Sequence, residues 1–177
     1  MSRYPQDTST EQDGIDERRA QWAAELPHVD TNGMAILGRA RWITLMARPP
    51  IEEIFKAHGL DSGEADVLFT LLRAGAPYRL RPTELFRSLM ISSGGLTDRL
   101  NRLAKAGLIR RAAAEGDGRS LPVELTDEGI RRAKAAFQED MALEAEMLAG
   151  LTNEEKSDLA DLLRKLALTI TGTRPFK

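Results

Sequence analysis

Residues 81–126 read RPTELFRSLMISSGGLTDRLNRLAKAGLIRRAAAEGDGRSLPVELT, and the fold is decided here. Pro82 after Arg81 suits the first turn of a helix, where its missing N–H costs nothing. That helix is short, because Ile91-Ser92-Ser93 ends it and immediately starts another. In the second helix Leu96, Leu100 and Leu103 recur at i, i+4 and i+7, which leaves Thr97, Asp98, Asn101, Arg102 and Lys105 on the other side. Gly107 terminates it. Leu108–Ala113 and Ser120–Leu125 then read as two short strands flanking Glu115-Gly116-Asp117-Gly118, a tip rich in turn residues. Pro122 has no N–H to give a ladder, so the second strand is expected at an edge.

Outward from this stretch the pattern is helical on both sides. Ile15, Trp22 and Leu26 share one face of a short helix that ends before Pro27. Asp30, Thr31 and Asn32 are good caps for the next, which carries Ile36, Leu37, Ala40, Ile43 and Ala47 until Pro49 and Pro50, where a break or kink is expected. The helix resumes from Ile51 to His58, Gly59 closes it, and Asp61 or Ser62 caps a helix containing Val67, Leu68, Leu71 and Leu72. Downstream, Thr126 or Asp127 starts a long helix with Ile130, Ala133, Phe137, Met141 and Leu148 in phase. Thr152 with Glu155 is a capping-box pattern for a last one bearing Leu159, Leu162, Leu163, Leu166 and Ile170. Residues 1–14 hold too few apolar groups to offset the entropy of ordering and are expected to be a loose tail.

Composition narrows the function. The chain has 177 residues, enough for one domain with its own core, and only nine aromatic residues, which favours helices packed through Leu, Ala and Met. The absence of Cys removes disulfides, thiolate nucleophiles and Cys-ligated zinc. His28 and His58 lie thirty residues apart and no Gly-rich phosphate loop is present, so neither a metal site nor a cofactor is expected and the chain does not read as an enzyme. No stretch approaches a membrane span and the amino terminus lacks a signal-peptide core; a cytoplasmic protein is expected. The net charge of −2 hides an uneven distribution: residues 81–119 carry eight basic and four acidic side chains, a local +4 against −6 elsewhere. Helix, turn, helix and a Gly-tipped hairpin inside a basic segment outline a winged helix-turn-helix whose partner is double-stranded DNA, since Lys and Arg contacts to phosphate supply most nonspecific affinity. The second helix would enter the major groove amino end first. Ser92, Ser93, Gly94 and Gly95 would lie close to the backbone, Thr97, Asp98, Asn101 and Arg102 towards base edges, Arg110 on the wing strand, and Arg119 at the wing tip within reach of the minor groove. Asp98 opposes phosphate unless it accepts from a cytosine amino group or pairs with Arg102. The competing reading of Arg119 is a solvated hairpin charge.

The wing and its sequel, Asp117-Gly118-Arg119-Ser120 followed by Val123-Glu124-Leu125-Thr126-Asp127-Glu128-Gly129, resemble the MarR family of bacterial transcription regulators over about residues 30–170. The resemblance implies a mainly α fold with a small β-hairpin, a winged helix-turn-helix with long amino- and carboxy-terminal dimerisation helices. It also implies a homodimer that meets a pseudo-palindromic operator with two wings and two reading helices. The corresponding division is a tail over 1–14, an added amino-terminal helix over 15–29, dimerisation helices over 30–60 and 127–171, and a DNA-binding lobe over 61–126.

Gln21-Trp22-Ala23 ahead of Leu26-Pro27 and Asp30-Thr31 resembles, more narrowly, the urate-responsive PecS- and HucR-type branch. That branch implies an effector pocket, matched here by Trp22, Asp66, Arg99 and Arg111, in which Trp22 stacks on a small aromatic anion such as urate and Arg99 meets its oxygens. An arriving anion repels Asp66 from its arginine, and the reading helices leave the roughly 34 Å spacing of successive major grooves. Other readings remain beside it: Trp22 as a helix anchor, Asp66 as a solvated charge, Arg111 as a phosphate contact. At the level of the whole chain the alternatives are a phenolic or other aromatic acid as effector, or a winged helix used only for protein interaction.

Overall fold

A computed structural model of the chain describes residues 11–89, 95–111 and 121–172. Local sequence rules account for most element ends. Asp13 caps α1 (Gly14–Glu25), accepting from the N–H groups of Ile15 and Asp16 at 2.8 and 3.1 Å, so the residues just before Ile15 belong to the helix start. A π-helical turn, Met34–Gly38, leads into α2 (Arg39–Ala57). No break occurs at Pro49 and Pro50: α2 runs through both. The carbonyls that lose their partners belong to Leu45 and Met46, whose side chains are exposed in the single chain. Gly59, with φ of +69°, ends this arm.

Asp61 and Glu64 form a capping box at the start of α3 (Ser62–Arg73), which is the centre of the molecule: eight of its twelve residues are buried. After α3 comes β1 (Arg79–Leu80), then α4 (Pro82–Ser88), α5 (Leu96–Lys105), β2 (Ile109–Arg111) and β3 (Val123–Leu125). The sheet has three antiparallel strands in the order β1-β3-β2, with Arg79 opposite Glu124 and Arg110 opposite the same residue from the other side. β3 is therefore the central strand. The edge position expected from Pro122 is overturned because the ladder starts one residue later, at Val123, leaving the proline outside it. The hairpin tip, 115–118, lies outside the described residues, as do 92–94 and Arg119.

Long helices complete the chain, α6 (Asp127–Met147, capped by Thr126) and α7 (Asn153–Thr171, with the Thr152–Glu155 capping box). The core gathers Leu68, Leu71, Leu85, Leu103, Leu108, Val67 and Val123, all fully buried, at about 1.5–3 kcal/mol for each large side chain removed from water. Phe55, Phe69 and Phe137 extend it edge to face, with centroids 5.7 and 5.3 Å apart, and so pin α2, α3 and α6 together. Thr126 is the joint between the reading lobe and α6. Its N–H donates to the Leu108 carbonyl, its hydroxyl donates to the Gly107 carbonyl at 2.7 Å, and its oxygen accepts from Gly129 N–H. A side chain at Gly129 would collide with the Leu108 carbonyl, so only glycine lets α6 start this close to the end of α5.

Candidate nucleic-acid interface and effector site

Helix α5 takes its direction from two glycines in the left-handed conformation, Gly95 before it and Gly107 after it. Leu100 and Leu103 point into the core and Leu96 packs against it. Thr97, Asp98, Asn101 and Lys105 are exposed on the far side, as the spacing predicts. Arg102 is drawn towards α3: its Nε donates to Glu64 at 2.6 Å and its Nη2 to Asp61 at 2.7 Å. The pairing considered for it, with Asp98, is thus replaced by two carboxylates from another helix.

Behind this helix, Arg110 on β2 is also engaged. Its Nη2 donates to Glu124 Oε1 at 2.7 Å, while Arg79 on β1 donates to Oε2 at 2.8 Å. Glu124 is nearly buried, and the two guanidiniums, Arg110 above all, hold its carboxyl below the usual carboxylate range. Asp61, Glu64, Glu124 and Arg79 are the members of this surface that sequence reasoning missed. The sequence offered Asp61 or Ser62 as a helix cap, but nothing in it named Glu64 or Arg102 as partners.

The four effector candidates are divided between places. Asp66 is buried on α3. Arg99 fills the space that a side chain at Gly63 would take, and Gly63 lies one turn before Asp66, so Arg99 and Asp66 meet the same face of α3. Arg111 is exposed at the end of β2. Trp22, about half exposed, lines a cavity of about 290 Å³ with Leu26, Val29, Asp30, Thr31 and Met34, a lining that includes none of the other three. That cavity is built by tying α1 to the start of α2. Arg39 bonds Asp13 and Asp16 at 2.8 and 2.7 Å, and Arg19 donates to Thr31 and Asn32. Arg39 pulls the Asp13 carboxyl down to about 2. Among the described residues no cluster of His, Asp and Glu could hold a metal ion, and no helix is long and apolar enough to cross a membrane.

Known proteins share this arrangement. A MarR family model matches residues 58–120, from the end of α2 to the wing. The HTH-type transcriptional regulator PecS of Dickeya dadantii (strain 3937) is 35% identical over 154 residues, covering 87% of this chain and 93% of its own. The chain belongs to the MarR family. A MarR relative in Bacillus subtilis (strain 168), the HTH-type transcriptional repressor YetL, is 29% identical over 67% of this chain and 72% of its own. The crystal structure of a mutant MarR from E. coli complexed with operator DNA superposes with a TM-score of 0.65 at 26% identity, covering 78% of this chain and 99% of that one. The matches are to transcriptional regulators, and with them this MarR chain is placed among regulators and not enzymes.

Proposed function

We propose that the chain is a homodimeric, ligand-responsive repressor that binds a pseudo-palindromic operator and is released by a small aromatic anion such as urate. The observation that carries the reading is the exposed face of α5, where Thr97, Asp98 and Asn101 stand clear of a helix whose opposite side is locked in the core. By sequence position Ser92, Ser93 and Gly94, which precede that helix, are assigned to the DNA backbone and Arg119 to the minor groove, while Arg110 lies on β2 and Arg102 on α5 itself. The relative bound to operator DNA supports the same placement. Pairing of two chains through 30–60 and 127–171 is supported by the exposed apolar side chains there, among them Ile43, Met46, Leu162 and Ile170.

Effector control is assigned to Trp22, Asp66, Arg99 and Arg111. An anion reaching Arg99 competes with the α3 face that carries Asp66, and α3 is the helix against which α5 is held. A phenolic or other aromatic acid is the second reading, favoured by the lining of the Trp22 cavity, where Leu26, Val29 and Met34 offer apolar surface and few hydrogen-bond partners for a purine. The test is fluorescence anisotropy of labelled DNA from upstream of the chain's own gene against a shuffled duplex at fixed salt, with urate and with 4-hydroxybenzoate. Release by urate supports the first reading and release by the phenolic acid alone the second. Trp22→Ala and Arg99→Ala are expected to keep DNA binding and weaken release; an unchanged response in both sinks the pocket. Absence of DNA binding at low salt sinks the regulator reading and returns the winged helix to protein interaction.

A further inference from the structure

Arg102 has the side chain of a base reader but the contacts of a strut. Each of its two partners uses one carboxylate oxygen to close the cap of α3 and the other to hold the arginine. Glu64 Oε2 accepts from Asp61 N–H at 2.9 Å and Oε1 from Arg102, while Asp61 Oδ1 accepts from Glu64 N–H at 2.7 Å and Oδ2 from Arg102. All four oxygens are thereby engaged. The Nε and Nη2 edge of the guanidinium spans the two carboxylates, a geometry that a lysine ammonium cannot reproduce. Glu64 is about nine-tenths buried, so turning Arg102 outward to a guanine would strand a carboxylate in the interior without its cation. Arg99, one turn earlier on α5, rests on Gly63 between the same two acids in sequence. Two guanidiniums three residues apart thus grip the first turn of the most buried helix.

We infer that Arg102 is a positioning residue, which fixes the pitch of α5 against the capping box of α3, and that base discrimination falls to Asn101 and Asp98 on the free face. The inference rests on the DNA-reading role proposed above. It gives the operator a chemical signature: an adenine opposite Asn101, a cytosine opposite Asp98, and no guanine specified by Arg102.

The experiment uses a duplex selected from a random pool by the full-length wild-type protein, with a shuffled duplex as reference. Both are titrated against salt with wild type, Arg102→Lys, Arg102→Ala, Glu64→Gln and the Glu64→Gln/Arg102→Ala double variant. Glu64→Gln keeps an oxygen for the Asp61 N–H, so the cap survives, and circular dichroism checks the fold. A strut requires that Arg102→Lys, Arg102→Ala and Glu64→Gln each cut the preference for the selected duplex by about tenfold. The double variant should lose no more than either single one, and the slope of log K against log salt should be unchanged. A slope reduced by about 0.9 in Arg102→Ala and restored in Arg102→Lys makes it a phosphate contact. Preference intact in Glu64→Gln and lost in Arg102→Ala makes it a base reader. Either result overturns the inference while leaving the regulator in place. A pool from which the wild type selects nothing overturns the DNA-reading role itself.

Discussion

The lobe from α3 to β3 and the helices that flank it obey different economies. In the lobe, α3, α5 and the sheet bury their apolar faces against one another within one chain, and Leu68, Leu71 and Leu103 have no contact with water. In the flanks, α7 buries no residue at all and α2 only Phe55, although both carry full apolar stripes. Ile43 is 63% exposed, Leu162 64% and Ile170 65%. One region is a finished core and the other leaves its apolar stripes uncovered in the single chain, although the stripes are as regular in the second as in the first. Amphipathic periodicity thus marks an apolar face, not what covers it.

The sharpest way to break this contrast is to charge the unfinished half. Leu162→Glu with Ile170→Glu should convert the proposed dimer to the 19.6 kDa single chain in light scattering and weaken operator binding about a thousandfold through lost avidity. A wild type that already runs at the single-chain mass removes the contrast altogether. In the finished half, Leu68→Ala should cost about 4 kcal/mol in urea denaturation, because α3 is enclosed and collapses poorly around a void. The same truncation at Leu162 should cost the single chain almost nothing.

At the boundary, Asp140 on α6 sharpens the comparison through pH. It is buried, its Oδ1 has no hydrogen-bond partner among the described residues, and burial, with Glu144 assisting, pushes its carboxyl up to about 6. The folded chain thus prefers the protonated acid. Below about pH 4 both folded and unfolded states carry the proton and no penalty exists; stability falls as pH rises through 6. Asp140→Asn should remove that fall, a gain of at most about 3 kcal/mol at pH 7 and none at pH 4 in thermal melts. The smallest effect belongs to α1. With Asp13 held down to about 2 by Arg39, the tie to α2 is complete above pH 4 and is lost as pH falls towards 2. Protection of the amides of residues 14–25 against hydrogen exchange, relative to an unstructured peptide at the same pH, should fall over that interval in the wild type, and Arg39→Ala should show the low protection throughout.

Sequence made the helices legible because their signals are local. Thr126, Thr152, Asp61 and Gly107 each act on the next turn, and all four lie where the structure needs them. Of the break or kink expected at Pro49 and Pro50 the break is absent, because the cost of proline depends on whether the orphaned carbonyls reach water, which the sequence does not state. β1 escaped notice because a two-residue strand has no period of its own and exists only by pairing with Glu124 and Val123, more than forty positions away. The same distance explains the reading surface. That Arg102 and Asn101 are long polar residues on one helix was plain; that Arg102 meets a cap 38 residues earlier was not.

Thr126 has a mechanical consequence. It clamps the start of α6 to the end of α5, and α6, with 21 residues, extends about 31 Å beyond that fulcrum. A displacement of about 3 Å at Met147 turns so long an arm by only about 5° at the pivot. The geometry is a reduction gear: large excursions at the tips of the helices reach the reading end as small rotations. A given displacement turns the reading end further the closer to the pivot it is applied.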